Sequence, residues 1–287
     1  MRDFQGRTAV VTGGASGVGR ALCELFAANG MQVVVSDINQ AALDAFVAEL
    51  RDRGVDAIGV RTDVTRQDSV NELAERAFAA YGNVHVLCNN AGISLKEREQ
   101  RVWTLPDNDW QWVYAVHVHG VVNGIRAFVP RMIANGEEGH VVNTSSGNGG
   151  LTSLASSPVY ASSKAAVTSL TEVLHYHFVM DQLRLKASVM FPGPHLVNTN
   201  LLNSARQRPA EFTPADSVIP EAVDMGHLAK VVGKIELTEP AEVAAYTLEG
   251  IREERFWIMP PSEAQDQRVR DRCESILRRT SPALPDF

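Results

Sequence analysis

From residue 8 to about residue 192 the chain alternates short β-branched runs with longer stretches of helical periodicity, and this restricts it to βαβ units built on a parallel sheet. The strand-like runs are Thr8–Thr12, Gln32–Ser36, Ala57–Val60, Val84–Cys88, Gly139–Thr144 and Leu185–Phe191. Between them, helical patterns cover about 18–29, 39–53, 66–81, 109–135 and 159–181. Continuous apolar runs of this kind suit strands buried on both faces. Phe256–Met259 adds a seventh strand, and a charged helix follows over 262–279. The reading is one α/β domain over 1–287, a Rossmann-like doubly wound parallel sheet of about seven strands with helices on both faces. Within it, 195–238 forms short helices and loops over the site, and 262–287 is a C-terminal helix and tail.

Composition narrows the partners. Hydrophobic residues make up 45% and charged residues 21%, enough apolar material for a large core without disulfides or a structural metal. A net charge of −7 provides no electrostatic footprint for nucleic acid or an anionic membrane, so the expected partner is a small molecule. Cys23, Cys88 and Cys273 are scattered and read as reduced thiols. With no apolar leader in the first residues, the expected location is cytoplasmic. His175 and His177, like His117 and His119, stand two apart on helices and point away from each other, so no metal site is expected.

Residues that can carry chemistry gather at the ends of the strands. Gly13, Ser16, Gly17, Val18 and Gly19 lie where the first strand meets the first helix, and there glycines let backbone approach a diphosphate at a helix N-terminus. Asp37 ends the second strand, where a carboxylate can accept from both adenosine ribose hydroxyls and repel a 2′-phosphate, so NAD is expected over NADP. The alternative role for Asp37 is an N-cap, which Asn39 could equally fill. Asp63, with Val64, follows the third strand as an adenine contact or a helix cap. Tyr160 and Lys164 are one helical turn apart, so an ammonium at 164 can favour the phenolate at 160.

Taken in order, Gly13/Gly17/Gly19, Asn89-Asn90-Ala91-Gly92, Ser146, Tyr160 with Lys164, and Pro192-Gly193 resemble the short-chain dehydrogenase/reductase family over roughly residues 5–200. The resemblance implies alcohol–carbonyl redox chemistry, with Tyr160 as general acid/base, Ser146 holding the substrate oxygen, and Lys164 lowering the Tyr160 pKa while binding the nicotinamide ribose. Asn90, Gly92, Pro192 and Gly193 would line the cofactor. Three departures stand out. The serine of the family pattern falls on Gly147, so Ser146 implies a one-residue insertion within 148–158, with Ser145 as runner-up. The asparagine that normally holds a proton-relay water falls on His117, either a relay titrating near neutral pH or a packed helix histidine. The threonine expected after Pro192-Gly193 is Val197, and Thr199 stands two residues late.

The segment 196–237 occupies the place of the family's substrate loop, where Leu201, Leu202, Phe212, Val218, Ile219 and Met225 either wall an apolar pocket or pack the loop onto the body. Short stretches at 204–210 and 256–261 are similar to bacterial members that oxidise bulky aromatic secondary alcohols, including lignin-type Cα alcohols. Helices 109–135 and 159–181 have broad apolar faces, and the family resemblance implies a homodimer or homotetramer built on them. The rival function is a dinucleotide-binding sensor or scaffold of the same fold without turnover.

Overall fold

The computed structural model describes residues 1–95, 97, 100–213, 222 and 236–284. Seven strands form one parallel sheet: β1 Thr8–Thr12, β2 Gln32–Asp37, β3 Ala57–Arg61, β4 Val86–Asn89, β5 Gly139–Thr144, β6 Leu185–Met190 and, at the edge, β9 Trp257–Ile258. Their spatial order is β3-β2-β1-β4-β5-β6-β9. The chain winds outward from β1 in one direction and then from β4 in the other. The crevice where the winding reverses, beyond the carboxyl ends of β1 and β4, is where such sheets bind ligands.

Alternation of side chains along each strand builds two cores, one per face. From β1 and β2, Ala9, Val11, Val33 and Val35 join the layer of α1 Gly17–Ala28, α2 Gln40–Asp52 and α7 Pro240–Arg252. Val10 and Val34 face the opposite layer, formed by α3 Gln67–Tyr81, α4 Asp107–Tyr114, α5 Gly120–Asn135 and α6 Pro158–Met180. Six residues after Gly13, Gly19 shows how closely α1 approaches β1: a Cβ there would stand 2.1 Å from the Gly13 carbonyl oxygen.

Four boundaries differ from the sequence expectation. β4 starts at Val86, two residues later than expected; just before it, His85 Nδ1 accepts from the Thr8 amide at 3.1 Å. The helix expected over 109–135 starts at Asp107 and is interrupted by a π-helical turn, Ala115–His119, between α4 and α5. A small parallel ladder, β7 Leu196–Val197 with β8 Leu237–Thr238, closes the base of the substrate-loop segment. β9 is shorter than expected, and α8 Glu263–Arg278 follows it. Of the substrate-loop residues singled out, Val218, Ile219 and Met225 lie outside the described residues.

Candidate active site

A cavity of about 890 Å³ opens along the carboxyl ends of the strands, toward the upper part of the roughly 300–1,000 Å³ range of ligand sites. Gly13, Ser16, Gly17, Val18, Asp37, Asp63, Val64, Asn90, Gly92, His117, Ser146, Tyr160, Lys164 and Pro192 all line it. Two expected lining residues stand behind the wall. Gly19 packs on the Gly13 carbonyl, and the Gly193 amide donates to the Tyr246 hydroxyl at 3.2 Å. Both shape the backbone that other residues present to the cavity.

At one end the residues fit the adenosine and diphosphate of a dinucleotide. Ser16 caps α1 without using its side chain as the cap, leaving hydroxyl and helix N-terminus toward the cavity. The Asp37 carboxylate accepts from Ala15 N at 3.1 Å and Asn39 N at 3.0 Å, while Asn39 itself caps α2 by accepting from Ala42 N. Asp37 is therefore held rigidly at the end of β2 with acceptor capacity left over. Asp63 is not the cap of α3; its Oδ1 accepts from the Thr65 amide and hydroxyl. Asn90 ties β4 to β1, donating to Thr12 O at 3.0 Å. Thr199 reaches this end despite its late position, since a Cβ on Gly17 would meet its methyl at 3.0 Å.

At the other end Ser146, Tyr160 and Lys164 converge, and the structure separates the two serines. Ser145 is buried under α6, donating to Lys164 O at 2.9 Å and bonded to Thr168 Oγ1 at 2.8 Å. Ser146 turns the other way, accepting from Asn148 N at 3.2 Å and lying within hydrogen-bond reach of Tyr160. A wide turn over Gly147–Leu151 accommodates the longer serine–tyrosine spacing. It needs Gly149, whose φ is +96° and whose Cβ would fall 2.0 Å from Ala161 O.

The electrostatics correct two expectations. Burial raises the Tyr160 phenol, a bond to Ser146 lowers it, and the charge of Glu97 raises it again, leaving it above its ordinary value; Lys164 is not among the causes. The reason lies in where the amine goes. Lys164 Nζ donates to Thr144 O at 2.9 Å, 5.8 Å from the Tyr160 ring centre, and burial lowers its pKa to about 7. In the chain alone it is only partly charged at neutral pH, so it exerts little pull on the phenol.

His117 does not titrate near neutrality. It is fully buried in the π-helical turn, and burial, then the Lys164 charge, hold its pKa well below 6.5 against a bond from Ile93. Nε2 accepts from Ile93 N at 3.0 Å. Ser163 Oγ donates to Tyr160 O at 2.8 Å, so it accepts from Nδ1–H at 2.8 Å, which fixes the neutral Nδ1 tautomer. The ring meets Tyr160 edge-on, with centroids 5.3 Å apart. His117 is thus a wall that braces the tyrosine.

Three contributors carried no motif. Glu97, 2% exposed, caps α6 from outside by accepting from Val159 N at 2.8 Å and Tyr160 N at 3.3 Å. Burial raises its own pKa against those two bonds. Gln265 and Arg268 of α8 complete the wall beyond Ser146. Leu201 and Leu202 line the cavity as expected of an apolar pocket, whereas Phe212 packs on the core. Among the described residues, no three His, Cys, Asp or Glu side chains gather as a metal site, and no helix is long and apolar enough to cross a membrane.

Comparison with known proteins agrees with this geometry. The family model described as short chain dehydrogenase matches residues 7–210. A C alpha-dehydrogenase of Sphingobium sp. is 31% identical over 289 residues, covering 100% of this chain and 90% of the relative. The 1-deoxy-11-beta-hydroxypentalenate dehydrogenase of Streptomyces exfoliatus is 32% identical over 282 residues, covering 98% and 92%. A short chain dehydrogenase/reductase from Burkholderia phymatum, solved in complex with NAD, superposes with a TM-score of 0.89 at 36% identity, each chain covered completely. With the fold, the family match and relatives of nearly equal length in agreement, the chain belongs to the short-chain dehydrogenases and is an oxidoreductase of CH–OH groups.

Proposed function

We propose that this oxidoreductase interconverts a bulky, largely apolar or aromatic secondary alcohol and its ketone, using NAD in preference to NADP. The observation that carries the reading is the meeting of Ser146, Tyr160 and Lys164 in the same cavity as the glycine-rich turn and Asp37. A nicotinamide there supplies the hydride acceptor or donor. The chain supplies the rest. Ser146 holds the reacting oxygen beside the phenol, and Tyr160 takes its proton in oxidation or returns it in reduction. Its raised pKa keeps the phenol protonated at neutral pH, suited to donating in the reductive direction. Lys164, poised at about 7, supplies positive charge as it takes up a proton. His117 and Glu97 brace the tyrosine from two sides.

NAD preference rests on Asp37, whose carboxylate would face a 2′-phosphate with like charge. The apolar substrate class rests on Trp112, Leu154, Leu201 and Leu202 in the wall, and on the similarity to a C alpha-dehydrogenase. A homodimer is part of the proposal, supported by the exposed stripe Val173, Tyr176 and Met180 on α6. The test is NADH formation over a panel of aryl and cyclic secondary alcohols. Turnover with NAD and little with NADP supports the reading, whereas dinucleotide binding with no turnover on the whole panel favours the sensor.

A further inference from the structure

The two ends of the cavity wall carry different charge. Among its described residues the only carboxylates are Asp37 and Asp63, both beside the glycine-rich turn. Beyond Ser146 the wall ends on the guanidinium of Arg268. In a chain of net charge −7 this is not the average surface continuing inward. Arg268 puts a fixed positive charge at that end of the cavity.

The position of Arg268 gives that end an orientation. Residues 265, 268 and 272 share one face of α8, being three and four apart. The first and last of them are fixed against the turn that follows Ser146. Gln265 Oε1 lies 3.2 Å from where a Cβ on Gly147 would be, and Arg272 donates to Leu151 O. Arg268 therefore stands between these two contacts, about 4.5 Å along the helix axis from Gln265. Its Nε donates to Ala264 O within its own helix, and no carboxylate of the described residues pairs with it. The terminal nitrogens of the guanidinium remain a fork that matches a carboxylate in two parallel bonds.

We infer that the substrate of this chain is a hydroxy acid: a secondary alcohol whose carboxylate, several bonds from the carbinol carbon, is received by Arg268 at the mouth of the cavity. This rests on the function proposed above and names the substrate class of that same site. The apolar wall around Leu154 and Leu202 takes the skeleton between the two functional groups. The carboxylate then fixes which carbinol hydrogen faces the nicotinamide, because a molecule held at both ends has one orientation.

The test uses 4-(1-hydroxyethyl)benzoate and its biphenyl homologue, each as free acid and as methyl ester, with the full chain and NAD. Calorimetric binding is measured beside NADH formation. Arg268→Gln is compared with Arg270→Gln, which is about 200° away around α8 and outside the cavity wall. The expected result is that the wild type binds at least one acid about ten times more tightly than its ester, that Arg268→Gln collapses this ratio toward one, and that Arg270→Gln keeps it. Equal affinity for both acid–ester pairs overturns the inference, as does a preference for acids that survives in Arg268→Gln. The binding arm judges the carboxylate site without turnover. Preferential binding of the acids with no NADH formed would sink the proposed oxidation of these alcohols and leave the carboxylate site standing.

Discussion

Replacing Lys164 by methionine should make the protein more stable at neutral pH while removing its activity. Burial lowers the amine from an ordinary 10.5 to about 7, so holding it charged inside the fold costs up to about 5 kcal/mol, at about 1.4 kcal/mol for each pH unit. Lys164→Met removes that cost but leaves Thr144 O without its 2.9 Å donor, a loss of about 1–3 kcal/mol. The net gain at pH 7 or below is about 2–4 kcal/mol. The sign follows from proton counting. Between 7 and 10.5 the unfolded chain holds a proton that the folded chain has released, so wild-type stability rises with pH relative to the variant. Above 10.5 the penalty has gone and the variant is the less stable by its lost hydrogen bond. The two stability curves should cross near about pH 9. Urea unfolding of both proteins at intervals from pH 6 to pH 10.5 reads this directly. A variant no more stable than wild type at pH 6, or a difference that does not change with pH, would refute the assignment of Lys164 as a strained buried amine.

Other perturbations separate the remaining roles. His117→Asn should leave the shape of the pH–rate profile around neutrality unchanged, because burial holds the histidine well below its ordinary pKa, and should lower stability by about 1–3 kcal/mol through its lost bonds; a limb near neutral pH that disappears from the profile would restore the relay. Glu97→Gln removes a negative charge that raises the Tyr160 pKa, so the rise of alcohol oxidation with pH should move to lower pH, and the weakened α6 cap should cost about 1 kcal/mol. An unmoved profile would show that Glu97 has no electrical influence on the phenol. Asp37→Asn should narrow the NAD-to-NADP ratio of kcat/KM about tenfold or more, from loss of like-charge repulsion; an unchanged ratio would place cofactor choice elsewhere.

Much of the fold was legible because its signals are local. The β-branched runs at 8–12 and 32–36 and the glycines that follow them specify strand, turn and helix within a dozen residues, and each of the seven sheet strands overlaps a run the sequence marks out. What the sequence hid depends on long-range contacts. Ala115–His119 looks like ordinary helix, and the π-helical turn that points His117 inward is evident only from its packing against Ile93 and Ser163. Ser145 and Ser146 are chemically identical neighbours, and the side of the strand end each occupies separates them. Glu97 lies in a polar stretch with no period, sixty-two residues from the helix it caps. Gln265 and Arg268 belong to a charged helix that reads as a solvated face until it is seen lying along the Gly147–Leu151 turn. Even the Tyr160–Lys164 spacing, correct as geometry, misled on electrostatics, because it does not reveal that the amine is turned toward Thr144.

In the proposed reaction the phenol of Tyr160 exchanges the proton with the reacting oxygen. The direct measurement is the rate of NADH formation by wild type and Tyr160→Phe, side by side on the best alcohol of the panel, with NAD binding followed by fluorescence. The expected result is a loss of about 10²–10⁴ in kcat with NAD still bound. A phenylalanine variant that turns over at the wild-type rate would contradict the account.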